Sequence, residues 1–157
     1  MRFGVAADHA GFPLKAPAIA QLQELGHEAL DLGGDGTPGD DYPDFSQAVG
    51  EAVSGGVVDR AVLICGSGVG ASVAATKIPG VRAAICHDTW SARQGVEDDD
   101  MNVLCLGARA VGPELALELV RTFAGAEFSH AERHERRLGK VHALEQHYSR
   151  PTEVHHG

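Results

Sequence analysis

The sequence predicts an α/β fold: a three-layer αβα sandwich around a five-stranded parallel sheet. Three observations carry that expectation. Short, almost wholly apolar runs recur along the chain, the pattern of strands buried on both faces. Between them lie stretches with helical spacing or composition. Most of the 20 glycines follow the apolar runs, where tight strand-to-helix turns need them. A length of 157 residues with 43% hydrophobic residues suits one buried core.

Residues 2–7 (RFGVAA) read as the first strand and 13–25 as the first helix, which Pro17 is expected to distort. A shorter second strand follows at 27–32 (HEALDL). Residues 33–43 (GGDGTPGDDYP) form a loop too long for a simple connector. A helix at 44–54 leads to the third strand at 60–65 (RAVLIC) and a helix at 69–77. The fourth strand is placed at 81–86 (VRAAIC), a helix at 89–96, and the fifth strand at 102–106 (NVLCL). In the helix at 113–124, Leu115, Leu119, Val120 and Phe123 share one face, and Pro113 suits its first turn. Residues 130–147 read as a charged C-terminal helix. A single domain over 1–148 and a loose tail over 149–157 are expected. With right-handed crossovers this is a Rossmann-like sheet. In the order 2-1-3-4-5 the first and third strands are neighbours, and a ligand crevice opens beyond their carboxyl ends.

Composition narrows the partners. Thirteen Lys+Arg against 22 Asp+Glu give a net charge of −9, which argues against binding nucleic acid or an anionic membrane. No apolar run is long enough to span a bilayer, and the N-terminus lacks a signal peptide's apolar core. Three cysteines, Cys65, Cys86 and Cys105, argue against a disulfide framework and for a reducing, cytoplasmic setting.

The sharpest motif is Cys65-Gly66-Ser67-Gly68-Val69-Gly70-Ala71-Ser72, which ends a strand and opens a helix. Its glycines let backbone N–H groups converge on an anionic oxygen. A thiol beside a helix N-terminus is a candidate proton carrier, because its pKa is lowered there. The bland alternative is a tight turn with a buried, inert cysteine. A nucleotide P-loop is excluded by the missing lysine. A cysteine-phosphatase loop would need an arginine where Ala71 stands. A dinucleotide fingerprint fits Gly66, Gly68 and Ala71, with Asp88 downstream, but that fingerprint belongs on a first strand.

Asp8-His9 ends the first strand, and would face Cys65-Gly66-Ser67 across the crevice; Asp8 could equally cap the following helix. Arg133 and Arg137 share a helix face with a span suited to a phosphate, within the basic cluster Arg133-His134 and Arg136-Arg137. Pairing such as Glu132–Arg136 is the solvated alternative. Glu97-Asp98-Asp99-Asp100 reads as a solvated acidic loop, or less readily as a cation site.

These pieces in this order resemble the RpiB/LacAB family of sugar-phosphate isomerases. The resemblance rests on Ala7-Asp8-His9-Ala10-Gly11-Phe12 with Lys15, Asp41-Tyr42-Pro43, and Cys65 to Gly70 with Ala74, Ala75 and Lys77. Asn102-Val103-Leu104 with Gly107 and Arg109, and Arg133-His134 with Arg137, complete it. It implies an aldose–ketose isomerase interconverting ribose 5-phosphate and ribulose 5-phosphate through a cis-enediolate, without metal or cofactor. In that scheme Cys65 is the carbon acid/base and Ser67, where many members have threonine, helps move the oxygen-bound proton. Amides of Gly66, Gly68, Val69 and Gly70 hold the enediolate. Asp8 binds sugar hydroxyls and Tyr42 lines the pocket. His9, Arg133 and Arg137, with Arg109, hold the phosphate. The resemblance further implies a homodimer or homotetramer with shared active sites.

One departure stands out. Asp98 occupies a place where many members have a histidine that opens the sugar ring, and Asp99 a place where they have asparagine. Asp98 is then the candidate ring-opening group. The alternatives are another group such as His9, or a different aldose phosphate (a tetrose, allose or galactose 6-phosphate). A non-catalytic nucleotide- or phosphate-binding module is the reading from outside the enzymes.

Overall fold

The structure, a computed structural model, describes residues 1–149. In chain order the elements are β1 (Arg2–Ala7), α1 (Phe12–Glu24), β2 (Glu28–Gly33), α2 (Tyr42–Ser54), β3 (Arg60–Cys65), α3 (Val69–Ala75), β4 (Ala83–Ile85), α4 (Thr89–Asp99), β5 (Val103–Gly107), α5 (Pro113–Gly125) and α6 (Glu132–Tyr148). The α/β sandwich is as expected: five parallel strands with helices on both faces. The tail expected at 149–157 lies outside the described residues from 150 on.

The strand order differs from 2-1-3-4-5 in one place. It is β2-β1-β3-β5-β4, so β5 sits beside β3 and β4 forms the edge. Burial explains the exchange. All five residues of β5 are buried, which suits an interior position. The run at 81–86 yields only three strand residues, all half-buried, which suits an edge. Arg82, just before β4, binds the Asp100 carboxylate through its guanidinium at 2.7 Å and the Asn102 side chain through its N–H at 2.7 Å, while its carbonyl accepts from the N–H groups of Asn102 and Val103. The adjacency of β1 and β3 holds: they pair from Phe3↔Arg60 to Ala7↔Ile64.

The alternation of side chains along the strands builds two cores. Phe3, Val5, Val62, Ile64, Leu104 and Leu106 face α1, α4 and α5, meeting Leu22, Val96, Leu119 and Phe123. Ala61, Leu63, Cys65, Val103 and Cys105 face α2 and α3, meeting Val49, Ala71 and Ala75. Cys65 therefore ends β3 on the α2–α3 side. α1 runs through Pro17 without a break. The missing N–H costs one bond within the helix, and Leu14, Ala18, Gln21 and Leu22 keep the helix on the core.

α4 is longer than expected, so Glu97, Asp98 and Asp99 belong to its last turn and not to a loop. Carboxylates there oppose the helix dipole. Partners offset this: Asp98 accepts from Gln94 at 2.7 Å and meets His134 at 3.3 Å, and Glu97 lies 3.8 Å from Arg93. The helix closes at Asp100, whose left-handed backbone (φ 49°) returns its N–H to Val96.

Candidate active site

At the carboxyl ends of β1 and β3 the strand order reverses, and a cavity of about 310 Å³ opens there. The β1–α1 turn contributes Asp8, His9 and Ala10. The β3–α3 turn contributes Cys65, Gly66, Ser67 and Gly70. Tyr42 comes from the start of α2 and Arg109 from the loop after β5. Larger hollows lie elsewhere: about 680 Å³ between α4, α6 and the β4 edge, and about 1000 Å³ under the loop before α2. Neither contains a thiol or the glycine turn; the smaller one holds both.

The β3–α3 turn is shaped around the sulfur. Gly68 has φ +82°, a left-handed conformation that costs glycine nothing. That conformation aims its N–H at Cys65 Sγ, 3.0 Å away. The Val69 N–H donates to Ser67 Oγ at 3.2 Å. Two of the amides expected to face an oxyanion thus already meet the candidate thiol and hydroxyl. Cys65 is 5% exposed and opens on the cavity. The other two thiols are packing groups: burial pushes Cys86 up to about 11 and pushes Cys105 up as well.

Asp8 closes the β1–α1 turn and does not cap α1, whose N-cap residue is Gly11 and which has no side-chain cap. Its Oδ1 accepts from the Gly11 N–H at 2.9 Å, while the residue also lines the cavity. The Arg109 N–H donates to Gly66 O at 2.9 Å, which sets its side chain over the glycine turn. Tyr42 lies with its ring against Gly70.

The sequence pattern does not single out Asp40. Its Oδ1 accepts from His9 twice, from the backbone N–H at 2.9 Å and from Nδ1 at 2.7 Å. The one available signal is the excessive length of the 33–43 loop. Asp8, His9 and Asp40 bring one donor atom each within 4.8 Å of one another. Asp8 Oδ1 is engaged by the Gly11 N–H, and Asp40 Oδ1 by His9. The pattern is silent on His87 too; its Nε2 accepts from the Gly107 N–H at 3.1 Å behind the site.

Asp98, Asp99, Arg133 and Arg137 do not line this cavity. Asp98 is tied to His134, and Asp99 borders the hollow beside α6. Arg133 and Arg137 are exposed on α6. Between them His134 is 3% exposed, with Nε2 on Asp98 and Nδ1 2.6 Å from Ser129 Oγ. It anchors the helix and is not part of a basic patch. The dinucleotide reading loses its acidic partner, because Asp88 caps α4 through the Ser91 N–H at 2.7 Å. No helix among the described residues is long and apolar enough to cross a membrane.

Comparison with known proteins gives a consistent result. The model of the family described as Ribose/Galactose Isomerase matches residues 3–141. Ribose-5-phosphate isomerase B of Escherichia coli (strain K12) is 43% identical over 139 residues, 88% of this chain and 93% of that one. D-erythrulose-4-phosphate isomerase of Pectobacterium atrosepticum is 37% identical over 129 residues, 82% of this chain and 85% of that one. The solved structure of Clostridium thermocellum ribose-5-phosphate isomerase B matches with a TM-score of 0.91 at 45% identity, covering 95% of this chain and 100% of that one.

Proposed function

The chain belongs to the Ribose/Galactose Isomerase family, and on that premise we propose that it interconverts ribose 5-phosphate and ribulose 5-phosphate. The observation that carries this reading is the Cys65 thiol, set among Asp8, His9 and Ser67 in one cavity with an N–H aimed at its sulfur. A proton alpha to a carbonyl is weakly acidic, so the site must both accept it and stabilise the enediolate. Cys65, as thiolate, takes the proton from C2 of the open aldose. The electron pair moves onto O1, giving the cis-enediolate. Ser67 passes the hydroxyl proton between O2 and O1, and the Cys65 thiol returns its proton to C1. The amides of Gly66 to Gly70 face the developing charge. His9 and Arg109 hold the phosphate from this subunit. No step in this scheme requires a metal or cofactor.

The cavity of one subunit is small, and Arg133 and Arg137 stand exposed away from it. A second copy of the chain supplies them, with Asp98 and Asp99, in a homodimer or homotetramer. The exposed Val69, Val73 and Trp90, on α3 and at the start of α4, supply apolar surface for that contact.

A second reading, an open-chain tetrose phosphate as the preferred substrate, is favoured by one observation. Asp98 is held by Gln94 and His134, where the family resemblance leads one to expect a ring-opening histidine. A tetrose 4-phosphate has no free hydroxyl with which to close a furanose ring. The test is ketose formation by the purified protein, chelator present, from ribose 5-phosphate and from erythrose 4-phosphate. Turnover of ribose 5-phosphate at roughly 1–1000 per second supports the first reading. Turnover of the tetrose alone supports the second, and Asp98→His should then raise activity on the cyclic pentose. Turnover of neither removes both.

A further inference from the structure

The reaction scheme leaves one side-chain pair unexplained, His9 of the cleft with Asp40, which borders the neighbouring hollow under the loop before α2. Asp40 Oδ1 accepts both the backbone N–H and the ring Nδ1 of His9. The Asp40 side chain is 13% exposed against 36% for His9, so the carboxylate stands behind the imidazole and not in front of it. Its second oxygen is buried with no hydrogen-bond partner among the described residues. An ionised carboxylate only accepts, so Nδ1 carries a proton and Nε2 is the nitrogen left for a ligand. A carboxylate at 2.7 Å is also the counter-charge that an imidazolium needs when it donates from Nε2 to an anion.

The loop that leads to Asp40 is tied down at several points. Lys15, 7% exposed, sends its Nζ to the Asp31 carboxylate at 2.8 Å and to the carbonyls of Gly33 and Gly34. Gly34 has φ +97° and lies so close to the Ala7 carbonyl that a side chain would collide with it. Asp35 accepts from both N–H and Oγ1 of Thr37, closing the next turn. Asp40 itself donates its N–H to Thr37 O at 3.3 Å.

We propose that Asp40 is a positioning residue of this site: it fixes the His9 ring with Nδ1 inward, so that Nε2 donates to a phosphate oxygen of the substrate. The proposal rests on the reading of the cleft as a sugar-phosphate site. Asp40 touches no substrate and acts through His9 alone. Asp8, the other carboxylate facing His9, is engaged by the Gly11 N–H and does not substitute for it.

The test uses the full chain, labelled with ¹⁵N, as wild type, Asp40→Ala and Asp40→Asn. The His9 ring signals are assigned from a His9→Asn spectrum, and inorganic phosphate is the probe. Wild type should show a hydrogen-bonded Nδ1–H and an Nε2 signal that moves with phosphate. Asp40→Ala should lose the Nδ1 signature and bind phosphate about tenfold more weakly, the loss of one charge-assisted hydrogen bond. Asp40→Asn keeps an oxygen acceptor and should recover the Nδ1 signature, with affinity between the two. With sugar phosphate, Asp40→Ala should raise KM about tenfold and leave kcat within about twofold. An unchanged Nδ1 signal in Asp40→Ala, or a fall in kcat with KM unaltered, overturns the proposal. If wild type turns over no aldose phosphate while the His9 signals answer phosphate through Asp40, the isomerase reading fails and this one stands. If wild type is fully active and Asp40→Ala changes neither the His9 signals nor KM, this one fails and the isomerase reading stands.

Discussion

Cys65 is one of three buried cysteines, and position alone separates it from the others. Cys86 and Cys105 stand inside the cores, where burial holds them protonated at neutral pH. Cys65 stands at the last residue of β3, where the chain turns and the Gly68 N–H reaches it. Cys65→Ala is therefore expected to leave sugar-phosphate affinity within a few-fold and to lower kcat by about 10³. Calorimetry of binding alongside a coupled ketose assay checks both halves, and near-normal turnover would remove Cys65 from the chemistry. Much of this residue-level picture is legible in the sequence, because a thiol between an apolar run and a glycine turn has few other places to be. Asp40 is not. Its contact is with His9, and what brings them together is the folding of the glycine-rich loop that follows β2, which no local pattern reports.

Among the elements, α4 shows how far periodicity reads. Its start is legible, since Asp88 precedes a helical run; its end is not. Glu97 and Asp98 read as part of a solvated loop until Arg93 is seen to meet the first and Gln94 and His134 the second. The cap itself yields a pH prediction. The Ser91 N–H holds the Asp88 carboxyl below its ordinary value of 3.8. A native pKa below the unfolded one adds stability that is fully present above the unfolded value and is lost as pH falls through the native value. Asp88→Ala should therefore lower Tm by a few degrees at neutral pH, and the gap from wild type should close below pH 3.8. A gap that persists in acid would mean the cap stabilises through something other than the charge. Strand order is the feature at this scale that the sequence hides. The runs at 81–86 and 102–106 look equally apolar. Burial in the folded chain separates them: the first run gives a half-buried edge strand and the second a wholly buried interior one.

For the whole molecule, the open question is where the substrate's phosphate finds its arginines. The family resemblance puts Arg133 and Arg137 with the site; the single chain leaves them outside the cavity, since α6 packs on α4 and not on the crevice. If two copies share each site, two inactive variants should complement each other. Cys65→Ala and Arg133→Ala, each nearly inactive, should regain about a quarter of wild-type activity when unfolded together and refolded at equal amounts, because half of the dimers are mixed and each carries one intact site. Sedimentation of wild type should show a multiple of the 16.4 kDa chain. No recovery in a verified mixed dimer would place the whole site in one subunit.

The exchange of the last two strands also has a consequence for the order of events on the ribosome. β4 has a single sheet neighbour, β5, and β5 comes later in the chain. The β2-β1-β3 half can pair as soon as Cys65 has emerged, yet Ile85 must wait for Gly107 before its strand has anything to join. At ordinary rates of synthesis that wait is roughly one to four seconds. During that interval β3 presents an unpaired apolar edge, and β4 is only a short tether beside it. A three-residue, half-buried β4 is a poor competitor for that edge. Its brevity keeps the place beside β3 free for the strand that belongs there.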